Sequence, residues 1–224
     1  MRRHRRRNPH AVSFAFSAVL AAALLAPAAA GADEIVRTLS KDLPAAGIDA
    51  VDFHGQVGEV QVVGTSGDSI EIEVALRCDT RNDRKCKESA DRVDLEVRRS
   101  GDRVKIEVED WPKLGGRLSI RARLEIPKDR AVEIDMGVGE VSVSGIEADV
   151  EVDTGVGEVS VEGPESAFRS VNLDAGVGEV ELVLGGRTVE GSGFVGGHLS
   201  WRDGPGEAHI EIDTGVGEIR VILR

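Results

Sequence analysis

Aromatic side chains are scarce in this chain of 224 residues, which has no Tyr, five Phe and two Trp. Proteins that stack bases or sugar rings need aromatic faces, so this scarcity argues against both kinds of ligand. The 40 acidic residues outnumber the 28 basic ones, and the net charge of -12 argues against nucleic acid, whose phosphates require a basic surface. A hydrophobic fraction of 41% still provides enough apolar side chains for a folded core.

Only one apolar stretch approaches the length of a membrane span, and it lies between Ala11 and about Ala30. Five arginines within residues 2–7 precede it, and small residues follow, as is typical of a secretory signal peptide cleaved after Ala30 or Ala32. An uncleaved membrane anchor is the alternative. We expect export to the periplasm, cell envelope or extracellular space, with no transmembrane span after cleavage. Without residues 1–32 the chain has 23 basic and 40 acidic residues, a net charge of -17.

Cysteine is also rare, since Cys78 and Cys86 are the only two. In an oxidising compartment, a pair at this spacing predicts a local disulfide across the polar segment between them. A zinc site would need further His or Cys ligands nearby, and the segment contains none. We therefore predict a disulfide and no cofactor.

The tripeptide Val-Gly-Glu occurs five times, beginning at Val57, Val138, Val156, Val177 and Val216. The last four copies lie 18, 21 and 39 residues apart, and the longest interval divides into 18 and 21 if Val195 marks a degenerate copy. Alternating β-branched residues flank the copies, as in strands with one buried face. A period near twenty with two short strands is typical of a β-solenoid. We expect the glycines to form corners and Val138, Val156, Val177 and Val216 to stack inside.

The predicted fold class is all-β, a parallel β-solenoid of roughly 20-residue rungs with an inserted antiparallel sheet. Between the first two copies lie three strongly alternating segments and a fourth strand candidate, with the turn signal Ser100-Gly101-Asp102 among them. These segments are Ser69–Arg77, Asp91–Arg99, Arg103–Glu109 and Arg117–Ile126. The expected regions are a signal peptide at 1–32, N-terminal strands and the first rung at 33–68, the insert with its disulfide loop at 69–130, and solenoid repeats at 131–224.

The predicted solenoid repeats at 131–224 differ from the other regions in their charge and in their expected sheet edge. Residues 131–224 contain 5 basic and 19 acidic residues, so they carry most of the negative charge. The chain ends in the apolar strand Ile219–Leu223, which we expect to be a solenoid edge shielded by the insert or by self-association. The basic segment Arg81–Lys87 is interpreted as a solvated hairpin tip, with contact to anionic envelope polymers as the alternative.

The run of Asp-x-Gly-Val-Gly-Glu units after a secretion signal resembles a bacterial putative-adhesin family, a domain of unknown function with repeated Thr-Gly-x-Gly-Asp/Glu-Val-x-Val units. Residues 153–161 and 213–221 match that unit closely, and residues 135–143 and 174–182 match it with Thr replaced. Residues 124–129 look like the entry strand of that family. The resemblance covers residues 47–224 and implies a β-solenoid domain in the cell envelope. It supplies no catalytic residue.

The repeated carboxylates are the candidate site residues. We expect Asp135, Asp153 and Asp174 to stack, continuing through Ser192 to Asp213, and Glu140, Glu158 and Glu179 to stack through Gly197 to Glu218. These rows either bind Ca²⁺ through oxygen ligands or consist of Asp side chains bonded to turn amides with Glu in solvent. The second alternative is favoured, because the unit is not the Gly-Gly-x-Gly-x-Asp calcium motif.

The function expected from these observations is that of an exported, non-catalytic adhesin or envelope interaction and stress-response module. Its partner is an envelope component or a protein, and self-association through the solenoid edge is a further option. A Ca²⁺-binding solenoid and a polysaccharide-active enzyme are the alternatives. No catalytic residue is predicted, because His54, His198 and His209 form no metal-binding motif and the chain has no Gly-x-Ser-x-Gly elbow.

Overall fold

Strands dominate the chain, because β-branched residues alternate with polar ones along most of its length. The computed structural model describes residues 34–79, 84–112, 117–193 and 195–224. The predicted all-β class is confirmed, and the strands form one open mixed sheet. The elements are β1 Glu34–Pro44, β2 Ala50–Thr65, β3 Ser69–Cys78, α1 Arg84–Ala90, β4 Asp94–Ser100, β5 Arg103–Glu109, β6 Leu118–Pro127, β7 Ala131–Ser144, β8 Val150–Gly163, β9 Phe168–Val177, β10 Val180–Leu184, β11 Arg187–Glu190, β12 Gly197–Arg202 and β13 Ala208–Leu223.

The Val-Gly-Glu copies lie side by side in a parallel part of the sheet. Strands β2, β7, β8 and β13 pair in this order, and β9 and β10 complete the row against the two halves of β13. Equivalent residues are in register, so Val57 pairs with Val138, Val138 with Val156, Val156 with Val216, and Val216 with Val177.

The position of β13 corrects two predictions. The final strand lies between β8 and the β9–β10 pair, so it is an interior strand and not an open edge. Val195 marks no parallel copy, because the following strand β12 runs antiparallel to β9. The segment between β10 and β13 folds back, with β11 on β10 and β12 on β9. Strands β11 and β12 therefore cover the side of β10 and β9 that faces away from β13. Strand β13 fills the position between β8 and the β9–β10 pair.

The predicted insert also takes a different place in the sheet. Strands β3 and β6 pair antiparallel, as do β4 and β5, in agreement with the prediction. However, β5 and β6 both join β2 in parallel on the side opposite β7. The insert therefore does not separate the first copy from the others, because β2 contacts β7 along nearly its whole length. The four region boundaries stay predictions.

Each long strand turns a corner at its glycines, and the buried face changes phase there. In β7, Ile134 and Met136 are buried before the corner, and Val141 and Val143 after it. Val141 follows Met136 by five positions, an odd number, so the alternation shifts by one position in the corner, where Gly139 adopts a φ of 147°. The expectation that the corner valines stack inside is wrong. Val138, Val156, Val177 and Val216 are each 46–47% exposed.

The core is one connected cluster of mainly Val, Ile and Leu side chains. Phe53 and Phe168 are its largest fully buried members, and the partly buried Trp111 and Trp201 pack against it. Each fully buried Val, Ile or Leu contributes roughly 1.5–3 kcal/mol relative to its exposed state.

The predicted disulfide between Cys78 and Cys86 is present and links the end of β3 to α1. Arg37 of β1 donates hydrogen bonds to the carbonyls of Ala90, Asp91 and Val93 at the end of this helix, over 3.0, 3.1 and 2.6 Å. The helix replaces part of the expected hairpin tip at residues 81–87, the first three of which lie outside the described residues.

The predicted signal peptide at 1–32 also lies outside the described residues. Within the part of the chain that the structure describes, no helix has the length and hydropathy needed to cross a membrane.

Candidate functional site

Four aspartates form a line across the parallel strands, which we call the Asp row. Its order is Asp135, Asp153, Asp213 and Asp174, on β7, β8, β13 and β9. All four side chains lie on the outer face of the sheet. The expected path through Ser192 is wrong, because Asp213 lies between Asp153 and Asp174.

A histidine closes the Asp row at each end, which reasoning from the sequence did not predict. On β2, Nδ1 of His54 lies 3.4 Å from Oδ2 of Asp135. On β12, Nδ1 of His198 lies 3.0 Å from Oδ2 of Asp174. Both histidines reach the row through cross-strand register, and the antiparallel placement of β12 gave no signal in the sequence.

The two central carboxyls of the Asp row have raised pKa values. Partial burial is the main cause for Asp153, and the carboxylates of Asp213 and Asp135 raise its pKa further. Burial also raises the pKa of Asp213, followed by the charge of Asp174. Two positions earlier on β8, burial and the carboxylate of Glu133 raise the pKa of Glu151. The middle of this face therefore carries negative charge that its surroundings do not compensate.

We predict that Asp153→Asn stabilises the protein at pH 7 by roughly 0.5–1 kcal/mol, because like charges on adjacent strands repel. A carboxyl with a raised pKa in the folded state binds more protons there than in the unfolded chain. Stability therefore falls as the pH rises above the ordinary aspartate pKa of 3.8 toward the raised pKa of the folded state, and the penalty persists at higher pH.

The stabilisation by Asn should accordingly shrink as the pH falls toward 4, where the wild-type carboxyl takes up its proton. Urea unfolding followed by circular dichroism between pH 4 and 8 measures the difference. Asp68→Asn, an exposed position in the turn between β2 and β3, is the matched control and should change little. A gain from Asp153→Asn that does not depend on pH would contradict the electrostatic explanation.

A second line of carboxylates follows the corner, which we call the Glu row. It contains Glu59, Glu140, Glu158 and Glu218, in register on β2, β7, β8 and β13. Arg121 and Arg77 bond to Glu59 over 2.7 and 2.9 Å and lower its pKa, with the bond from Arg121 as the largest cause.

The far end of the Glu row differs from the prediction. Glu179 follows the bend between β9 and β10, where it lines a cavity of about 510 Å³ together with Glu181 and Glu190. Gly197 also lines this cavity and does not lie between Glu179 and Glu218, so the expected continuation through Gly197 is wrong.

The corner valines lie between the two rows, and we call them the valine ridge. The ridge runs in the order Val57, Val138, Val156, Val216 and Val177, one residue from each of five adjacent strands. Val57 is half-buried and the other four are 46–47% exposed. The resulting surface is an apolar line with a row of carboxylates on each side.

The carboxylate rows do not form a metal-binding cluster within the described residues. Within the described ranges, no three His, Cys, Asp or Glu side chains converge as the ligands of an ion would. Neighbouring carboxylates belong to successive strands, which lie roughly 4.8 Å apart, so they form a line and not a shell. Binding of Ca²⁺ to Asp135, Asp153, Asp174, Glu140, Glu158 and Glu179 stays an untested alternative.

One contact resembles part of a hydrolase site. The hydroxyl of Ser170 lies 2.8 Å from Nδ1 of His209. Asp149, however, accepts a hydrogen bond over 2.8 Å from the backbone nitrogen of His209 and not from its imidazole. The carboxylate that orients the base in a catalytic triad is therefore not supplied by Asp149. The absence of catalytic residues stays a prediction.

Comparison with known protein families assigns the chain to one of them. A family model described as the N-terminal domain of toast_rack, DUF2154, matches residues 32–183. The chain belongs to this family. The matched DUF2154 region contains β1 to β9 and nearly all of β10, whereas β13, which lies inside the parallel sheet, follows it.

Solved structures agree with this assignment. A putative cell adhesion protein from Clostridium sporogenes is 17% identical, with a TM-score of 0.52 over 84% of this chain and 99% of that one. A putative adhesin from Bacteroides fragilis is 9% identical, with a TM-score of 0.28 over 84% and 97% of the two chains. No curated protein matches. The DUF2154 match confirms the predicted kinship with a putative-adhesin family of unknown function, and the Clostridium neighbour shares the fold.

Proposed function

We propose that this protein is an exported, non-catalytic module of the cell envelope that binds another envelope component or a protein. The observation that carries the proposal is the in-register stacking of outward-facing side chains, which repeats the same chemistry on successive strands. Such a surface favours an extended contact over the convergent groups that catalysis requires. We also propose that the parallel strands are the rungs of a short β-solenoid.

Two further features support this proposal. A disulfide such as Cys78–Cys86 persists mainly in oxidising compartments, in agreement with export. The structural neighbours include proteins named as putative adhesins, which agrees with a binding role.

The proposal predicts saturable binding of the purified protein to isolated bacterial cell envelopes. Binding is measured by co-sedimentation over a range of protein concentrations, with the heat-unfolded protein as the control for non-specific adsorption. Release of reducing sugar from the same envelopes is measured in parallel. The absence of saturable binding would contradict the interaction role. Sugar release that is lost in Asp153→Asn would instead support the polysaccharide-active alternative.

A further inference from the structure

The valine ridge is an unusual surface for a protein of this charge. Isolated exposed valines need no explanation, but here exposed valines continue from strand to strand across five rungs. Four of them keep nearly half of their surface in solvent. A continuous exposed apolar line is typical of an interaction site.

The charges beside the ridge indicate which partner it fits. In each repeated unit an Asp precedes the valine by three positions and a Glu follows it by two, or roughly 10 and 7 Å along an extended strand. The arginines bonded to the rows, Arg77 and Arg121, both lie at Glu59 at one end of the Glu row, and His54 and His198 lie at the two ends of the Asp row. Across the middle rungs, no ion pair between described residues neutralises Asp153, Asp213, Glu140, Glu158 or Glu218.

A second copy of this chain is a poor occupant of the same surface. Two ridges placed face to face would bring the Asp and Glu rows of both copies together, and opposed like charges destabilise a contact. A partner that fits this surface instead needs positive charge on both sides of an apolar stripe.

The spacing of the rungs favours a particular backbone for that partner. Five strands roughly 4.8 Å apart give a ridge about 19 Å long. An α-helix returns its apolar stripe once per turn, about every 5.4 Å, so four turns cover this length. An extended strand presents side chains of one face only about every 6.7 Å, which departs further from the spacing of the valines.

We propose that the valine ridge, with the Asp and Glu rows beside it, is a docking surface for a basic amphipathic helix of a partner protein. The apolar stripe of the helix packs on Val138, Val156 and Val216, and its Lys and Arg side chains reach the carboxylates on both sides. This inference rests on the proposed binding function and names the surface and the partner class.

The test uses a fluorescently labelled synthetic helix, built from Leu at positions 1, 5, 8 and 12 with Lys flanking that stripe. Fluorescence anisotropy with the purified protein measures its affinity. We expect Val156→Ser/Val216→Ser to weaken binding about tenfold through the loss of apolar contact. Asp153→Asn/Glu158→Gln should also weaken binding and reduce its dependence on salt.

Matched controls separate this surface from general attraction between opposite charges. Val189→Ser removes a valine on β11 that is 45% exposed and lies off the ridge, so it should leave binding unchanged. Glu162→Gln, an exposed position at the end of β8, should act likewise. A peptide with the same Leu and Lys content in scrambled order should bind at least tenfold more weakly, because it has no continuous stripe. Thermal melts verify that each variant is folded.

Several results would overturn the inference. These are no binding of the helix, equal binding of the scrambled peptide, or unchanged affinity in the ridge variant. A shift of the oligomeric state in Val156→Ser/Val216→Ser, measured by sedimentation, would assign the ridge to a second copy. If the ridge variant still binds cell envelopes as the wild type does, the inference fails while the proposed function stands. If the helix binds the ridge but the protein does not bind cell envelopes, the proposed function fails while the ridge remains a surface for basic helices.

Discussion

Replacing Gly139 with Ala should lower the free energy of unfolding by at least about 3 kcal/mol. Losses of this size are typical of disrupted packing or a strained backbone. Gly139 combines both conditions. Its φ of 147° is rarely adopted by residues with a side chain. A Cβ atom built there would lie 1.7 Å from the carbonyl oxygen of Gly58 on the adjacent strand. Relief of this collision requires β2 and β7 to separate at their corner, which breaks the hydrogen bonds between them.

Two other glycines calibrate the effect. Gly137 lacks the unusual φ, but its Cβ would lie 2.6 Å from the carbonyl oxygen of Gln56, so Gly137→Ala should be intermediate. Gly67 is the control, because its Cβ would meet the hydroxyl of Thr65 at 3.5 Å, an ordinary contact. Urea unfolding followed by circular dichroism compares the three variants. A loss in Gly139→Ala within about 1 kcal/mol of that in Gly67→Ala would show that the corner tolerates a side chain.

The same corner explains why the sequence predicted the strands but not the direction of the valines. Alternation of β-branched residues was correct on both sides of Gly139, because each half of β7 has one buried face. The relation between the halves depends on the backbone angles of the glycine, and glycine is compatible with either phase. The inward orientation of Val138 extrapolated the alternation of Ile134 and Met136 into the corner, where Gly137 and Val138 are both exposed and the alternation breaks.

The order of the strands could not be predicted from the sequence for a different reason. An interval of 39 residues between Val177 and Val216 is compatible with a degenerate rung or with an excursion that returns elsewhere. The identical Asp-Thr-Gly-Val-Gly-Glu segments at residues 153–158 and 213–218 offer equivalent pairing surfaces, so local sequence does not choose their neighbour. Long-range pairing decides it, and with it the meeting of His198 with Asp174.

The candidate site was predicted by residue type more successfully than by arrangement. The repeated Asp and Glu positions were identified, and all four members of the Asp row were placed in one line, with Asp213 at the wrong place in the order. The contribution of His54 depends on β2 lying directly beside β7, which the long insert in the sequence concealed. Helix α1 was missed because seven residues are too few for a helical period and its first turn contains no acidic residue.

Breaking the Cys78–Cys86 bond should destabilise the protein by about 2.5 kcal/mol, the loop-closure entropy expected for cysteines eight positions apart. Both cysteines are buried, so the bond attaches α1 to the main core. A helix of seven residues is not stable in isolation, and its other described anchors include the hydrogen bonds from Arg37. Reduction should therefore loosen α1 before the parallel strands.

Hydrogen exchange and unfolding together check this order. In the reduced wild type, amides of residues 84–90 should lose protection, while those of β7, β8 and β13 keep it. Cys78→Ala/Cys86→Ala should lose somewhat more stability than reduction alone, because it also removes buried sulfur atoms. Equal loss of protection in α1 and β8 on reduction would mean that the disulfide supports the whole sheet. In that case the helix and the parallel rows would form a single cooperative unit, and the binding surface would depend on an oxidising environment.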